Sequence, residues 1–178
     1  MVKKVDVNGM IIRKMHLEDI RQVQQVVKIS WNSTYQGIIP LRIQESFLKS
    51  AYNDEMMHNR LENSFIWVSE VNGKMVGFAN FSAVKEEGKT ELAAIYINPE
   101  YQGKGIGTAL LNEGIKNLEG VNEIFINVEK DNTIGTTFYN AKGFKVVSEF
   151  DDDFDGHILK TIRMVLNITK IPFGESTA

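Results

Sequence analysis

The run from Tyr96 to Leu111 constrains this chain more than any other. An apolar strand-like segment, Tyr96-Ile97-Asn98-Pro99-Glu100, passes through Tyr101-Gln102-Gly103-Lys104-Gly105-Ile106-Gly107 straight into the helix-like Thr108-Ala109-Leu110-Leu111. Glycines at 103, 105 and 107 let the backbone turn tightly and bring its N–H groups up to a ligand without interference from a Cβ. The helix that opens there adds unpaired donors and the positive end of its dipole, so the segment reads as a cradle for an anion of pyrophosphate size. Two familiar phosphate loops fit it poorly. A P-loop requires Gly-Lys followed by Ser or Thr, and here Gly103-Lys104 is followed by Gly105. A dinucleotide fingerprint requires a third glycine three positions after Gly107, where Leu110 stands, and the loop lies mid-chain. A turn with no ligand would have no need of Gln102 or Lys104.

The rest of the chain is ordinary and globular. Its 178 residues fit one domain with one well-buried core, and 43% are hydrophobic and 24% charged. A net charge of −3 gives no general attraction to nucleic acid or to an anionic membrane. With no cysteine, disulfides, thiolate metal sites and a cysteine nucleophile are excluded. His16, His58 and His157 lack metal-ligand spacing, so no metal is expected. No apolar run approaches the length of a membrane span, and Met1–Gly9 lacks the apolar centre of a signal peptide, which makes the cytoplasm the default compartment.

Periodicity predicts alternating strands and helices. Met10–Lys14 reads as a strand, followed by a helix with Ile20, Val23, Val26, Val27 and Trp31 on one face and a break at Tyr35–Pro40. Pro40 starts a second helical region, and a short helix follows near Asn53–Leu61. Phe65–Ser69 and Met75–Phe81 are strands joined at Asn72-Gly73, a strong two-residue hairpin signal. Glu91–Asn98 is a strand, Gly105 to about Leu118 a helix, and Ile124–Val128 a strand. Asn132 caps a helix ending at Ala141-Lys142-Gly143, and Phe144–Phe150 with Ile158–Ile168 form a closing hairpin around an intervening loop. The tails 1–9 and 169–178 read as loosely held ends of a single domain over 10–168.

The spacing Gln102-x-x-Gly105-x-Gly107, with Ile95-Tyr96-Ile97-Asn98-Pro99-Glu100 leading into it, resembles the acetyl-CoA pyrophosphate loop of the GNAT superfamily of N-acetyltransferases. A second signature lies downstream, where Asn132 to Phe144 follows the family's Asn-x-x-Ala-x-x-Phe-Tyr-x-x-x-Gly-Phe except for Gly135 in place of Ala. The resemblance covers about Met10–Ile168. It implies an α+β fold of three-layer type: a mixed, mostly antiparallel central sheet of about seven strands, flanked by helices and splayed at the cofactor strand. It implies acetyl-CoA as cosubstrate, held by Ile95, Tyr96, Ile97, Gln102, Gly103, Lys104, Gly105, Ile106, Gly107, Thr108, Asn132 and Tyr139. By the same resemblance the Ile97 N–H holds the thioester carbonyl and Tyr139 serves as general acid. A core aromatic beside Phe138 is the plainer reading of Tyr139.

Acetyl transfer to an amine needs a base, an oxyanion donor and an acid, since the acceptor is mostly protonated at neutral pH and the thioester expels a thiolate. Glu91 lies six residues before Ile97, on the same face of a regular strand, and resembles the carboxylate that acts as base in the superfamily's histone acetyltransferases; a solvated strand-end glutamate is the alternative. A bulge would reverse that facing. Trp31 and Tyr35 in the helix break resemble the loop lining the acceptor pocket, with core packing the simpler reading for Trp31. Asp151-Asp152-Asp153-Phe154-Asp155 reads as an acidic loop, either a counter-charge for a polycationic amine or solvated charge.

The expected activity is therefore direct acetyl transfer to the primary amine of a small molecule, a polyamine or an amino-acid-like compound. A protein N-terminus or lysine is the alternative acceptor, and a non-catalytic CoA-binding sensor the alternative of another class. A covalent acetyl-enzyme is disfavoured by the lack of cysteine and of any Ser-His-acid signature around the loop. The expected partners are the small amine and, as a further option, a second copy of the chain, with neither nucleic acid nor membrane.

Overall fold

β-branched and aromatic strands alternating with short amphipathic helices build one open sheet. The computed structural model describes residues 7–168; most of the two tails, 1–6 and 169–178, lies outside the described residues. The strands are β1 (Met10–Lys14), β2 (Ser64–Val71), β3 (Lys74–Ser82), β4 (Lys89–Ile97), β5 (Glu123–Glu129), β6 (Lys145–Phe154) and β7 (His157–Asn167). The helices are α1 (Ile20–Tyr35), α2 (Leu41–Ala51), α3 (Asp54–Asn63), α4 (Ile106–Asn117) and α5 (Thr133–Ala141). The sheet runs β1-β2-β3-β4-β5-β7-β6, antiparallel except where β4 meets β5. This is the mixed, mostly antiparallel seven-stranded sheet expected.

Local chemistry sets the boundaries. Pro40 immediately precedes α2, and the Asn53 side chain accepts the Met56 N–H at 2.9 Å to cap α3. Asn72 and Gly73 both take positive φ, as a tight β2–β3 hairpin demands. One expectation is corrected at the last hairpin. Asp155 and Gly156 also take positive φ and form a two-residue turn, so Asp151–Asp153 belong to strand β6 and only Asp155 lies in a turn. Asp-Gly is itself a hairpin signal, hidden here inside a charge run.

Two apolar layers cover the sheet. On one face α1, α2 and α3 pack Val23, Val27, Trp31, Ile43 and Met57 against Ile66, Val68, Phe78, Ala94 and Leu159. On the other, Ile106, Leu110 and Leu111 of α4 with Tyr139 and Phe144 pack on Val76, Phe81, Leu92, Ile124, Ile126, Val128 and Met164. The two faces meet at a gap. β4 and β5 pair only over Lys89–Glu91 against Glu123–Phe125 and then diverge, which opens the sheet at its middle.

Candidate active site

The gap is a cleft of ≈ 440 Å³ lined by Leu92–Ile97, the loop at Tyr101–Gly103, the start of α4, Asn127–Val128 and α5. Its first wall is the glycine loop. Gly103 and Gly105 adopt positive φ (72° and 84°), and a Cβ on either would meet nothing within 4 Å, so the space beside them is open to a ligand. The first hydrogen bond into α4 runs from Ala109 N–H to Gly105 O, leaving the amides of Ile106, Gly107 and Thr108 ahead of it without intrahelical partners. Those amides at a helix N-terminus present free donors and the positive end of the helix dipole, an arrangement that favours an anion. Gly107 has a packing role besides: a Cβ there would lie 3.1 Å from Phe138, so this glycine also lets α5 close on α4. Gln102 turns inward, donating to Ile97 O at 3.3 Å and tying the loop to the end of β4. The side chain of Lys104 does not line the cleft.

The second wall is the free edge of β4. Asn98 donates its N–H to Val76 O on β3 at 2.8 Å, and strand alternation turns the Tyr96 N–H the same way. The amides of Ile95 and Ile97 therefore face the gap, where no β5 ladder meets them, as an oxyanion donor requires. The third wall is α5. Asn132 caps it, accepting the Gly135 N–H at 2.9 Å, and a Cβ at 135 would lie 2.7 Å from the Asn132 amide, which explains the glycine in place of alanine.

Tyr139 reaches the cleft from α5, packed edge-on against Phe144 and Phe138 at 5.3 and 5.4 Å. Burial pushes its hydroxyl above the usual tyrosine range, and the nearby Tyr96 phenol adds to the shift. Burial likewise raises Tyr35, whose hydroxyl feels Tyr96, Glu129 and Tyr139 while Asn132 opposes them. Several neutral phenols thus converge where α1, β4 and α5 meet. Trp31 stands behind Tyr35, 5% exposed and stacked 4.3 Å from Phe47, so it is a core residue and not part of the cleft wall.

Glu91 is placed differently from the regular-strand expectation. Asn80 pairs with Ala94 but Phe81 pairs with Leu92, so Ala93 bulges out of β4. Beyond that bulge the facing reverses: Glu91 lies on the α1 side and Ile97 on the α4 side. Both Glu91 oxygens bind Arg163 of β7, whose guanidinium also reaches Asn127 Oδ1 at 3.0 Å and covers the Phe125 ring at 4.6 Å. Nothing in the sequence singles out Arg163, because the pairing of β5 with the later strand β7 is a matter of topology.

An anion cradle, a row of free strand amides and a buried phenol around one gap in a sheet are the layout of an acyl-CoA-dependent acyltransferase. The acetyltransferase (GNAT) family model matches residues 25–144. The chain is 31% identical over 151 residues to a spermidine N(1)-acetyltransferase of Thermoplasma acidophilum, covering 80% of this chain and 92% of the relative. Among solved structures, the PaiA N-acetyltransferase of Thermoplasma acidophilum in complex with coenzyme A superposes with a TM-score of 0.77 at 29% identity, covering 89% of this chain and 98% of that one. The ribosomal-protein-S18-alanine N-acetyltransferase of Escherichia coli shares the fold, with a TM-score of 0.68 at 22% identity over 95% of this chain and 99% of that one. The chain belongs to the GNAT acetyltransferase family and is an enzyme that acetylates amines.

Proposed function

We propose that this enzyme moves acetyl from acetyl-CoA directly to the primary amine of a small cationic molecule, a polyamine or an amino-acid-like amine. One observation carries the cationic acceptor: Glu129 and Asp152 face the α1 side of the sheet around the gap, opposite the α4 helix that begins at the anion cradle, while Glu91 on that face is neutralised by Arg163. Their facing follows from register, since Glu129 pairs with Thr161 and Asp152 with Leu159 on that side. The spermidine N(1)-acetyltransferases of Thermoplasma acidophilum (31% identical) and Escherichia coli (26% identical) support a polyamine.

Acetyl-CoA supplies the activated thioester. The amides of Ile106, Gly107 and Thr108 hold its pyrophosphate, and the Ile97 N–H meets the oxyanion. Tyr139, kept neutral by burial, donates the proton that the leaving sulfur takes. Glu91 clasps Arg163 and keeps β4 and β7 fixed on either side of β5 at the foot of the gap.

The test is thiol release from acetyl-CoA across a panel of polyamines, amino acids, peptides with free N-termini and lysine peptides. Turnover confined to small polycationic amines supports the reading. Preference for peptides would move the acceptor to proteins, and tight CoA binding with no turnover on any amine would favour a sensor.

A further inference from the structure

Glu129, the last residue of β5, is 6% exposed, and its Oε2 is fully covered and accepts no hydrogen bond. A buried carboxylate oxygen without a donor is a strong departure from the rule that such groups are paired. The nearby cations are committed elsewhere. Lys130 pairs with Glu149 at 2.8 Å, and Arg163 holds Glu91 and Asn127. Among the described residues no ion pair involves Glu129.

Its position gives that unmet charge a purpose. Glu129 sits just behind the cleft wall, between Val128 and Asn132, which line it, and faces the α1 side opposite the buried Thr161. The phenol of Tyr35 lies within reach of its charge, beside those of Tyr96 and Tyr139. A carboxylate in this setting, with the Tyr35 phenol nearby, suits one ligand group above others, a primary ammonium that offers hydrogen bonds and charge together.

Resting on the acetyltransfer reading above, we infer that Glu129 binds the acceptor's ammonium group and takes the proton it must lose. The ammonium gives one proton to the Glu129 carboxylate, which later passes it to solvent. The freed amine nitrogen then bonds to the thioester carbonyl carbon as the carbon–sulfur bond breaks. The sulfur takes the Tyr139 proton, and the second proton shed by the nitrogen restores Tyr139. One amide, one thiol and one released proton result.

The test uses the full chain with CoA bound and spermidine as probe. Glu129→Gln keeps the shape and removes the charge. It should raise the Michaelis constant for spermidine, and its calorimetric dissociation constant, by about tenfold or more, with the constant for acetyl-CoA unchanged. The melting temperature of the amine-free variant should equal or exceed that of wild type, because an unpaired buried charge has been removed. A merely structural glutamate would lower it. Glu129→Asp should fall between the two in amine affinity, and it stands in if Glu129→Gln does not fold. Wild-type spermidine affinity and Michaelis constant in Glu129→Gln would overturn the inference. If wild type binds spermidine but turns over no amine, the acetyltransfer reading fails while calorimetry still decides Glu129; if wild type binds no spermidine, the inference fails as well.

Discussion

Leu92 and Ala94 are two residues apart in β4 yet lie on opposite faces of the sheet, Leu92 under α4 and Ala94 under the α1 layer. The unpaired Ala93 between them causes the reversal. It sends Glu91 to the α1 side while leaving Ile95 and Ile97 on the α4 side. Deleting Ala93 should turn Glu91 into the apolar layer under α4 and Leu92 out of it. That exchange costs several kcal/mol on the order expected for an unpaired buried charge, enough to prevent folding. Circular dichroism of the deletion variant checks this, and a native-like cooperative melt would contradict it.

The glycine loop gives a sharper cofactor test. Because Gly105 has φ 84° and open space beside it, Gly105→Glu adds left-handed strain of about 1–2 kcal/mol and places a carboxylate at the proposed pyrophosphate position. Acetyl-CoA binding by calorimetry should be abolished while the circular dichroism spectrum stays near wild type. Unchanged affinity would remove the pyrophosphate from this loop.

Tyr139→Phe separates chemistry from binding. Loss of the proposed proton donor should lower the turnover number about 10²-fold or more, with acetyl-CoA affinity little changed. Burial holds the Tyr139 hydroxyl above its ordinary range, so the phenol remains protonated beyond the usual tyrosine pKa of about 10. The wild-type rate should therefore show no loss attributable to Tyr139 below about pH 10. A pH–rate profile of both proteins reads this out.

Much of the fold was legible because it rests on local signals. Asn72-Gly73, Pro40, Asn53 and Asn132 each mark a turn or cap by their own chemistry, and the glycines at 103 and 105 announce the cradle. What was not legible depends on pairing between distant strands. The Ala93 bulge, the Glu91–Arg163 clasp and the isolation of Glu129 arise only when β4, β5 and β7 lie side by side, and no local pattern at Glu129-Lys130-Asp131 distinguishes a buried carboxylate from a charged turn. Asp155-Gly156 was legible in principle, but the surrounding aspartates made a strand look like a solvated loop.

A separate ion pair governs acid stability. Arg13 grips Asp19 with two hydrogen bonds of 2.7 and 2.9 Å, and the His16 N–H adds a third at 2.7 Å. The Arg13 guanidinium, and then the His16 amide, hold the Asp19 carboxyl below its usual range against the opposing effect of burial. A depressed folded pKa means this stabilisation is fully present above the unfolded value of about 3.9 and is lost as pH falls through the lower folded value. Asp19→Asn should cost on the order of 1–3 kcal/mol at pH 7 and shrink the difference from wild type toward pH 2. Urea melts at both pH values measure it, and a constant gap would mean that the pair contributes no pH-dependent stability.

The acidic strand offers a last discrimination within one run of like residues. Asp152 pairs with Leu159 and shares the α1 face with Phe154, whose ring packs on Trp31 and Phe47 at 5.7 and 4.9 Å. Asp151 and Asp153 point to the other face, where Asp151 pairs with Lys160 and Asp153 accepts the Gly156 N–H of the hairpin turn. Only Asp152 of the three is aimed to attract a cation approaching the gap from the α1 side. Asp152→Asn should raise the Michaelis constant for spermidine several-fold and flatten its dependence on ionic strength, since a screened charge is what has been removed. Asp151→Asn should leave both near wild type, as should the constant for acetyl-CoA in either variant. Equal behaviour of the two variants at low salt would assign the whole run to solubility and leave the acceptor's charge to be met inside the gap.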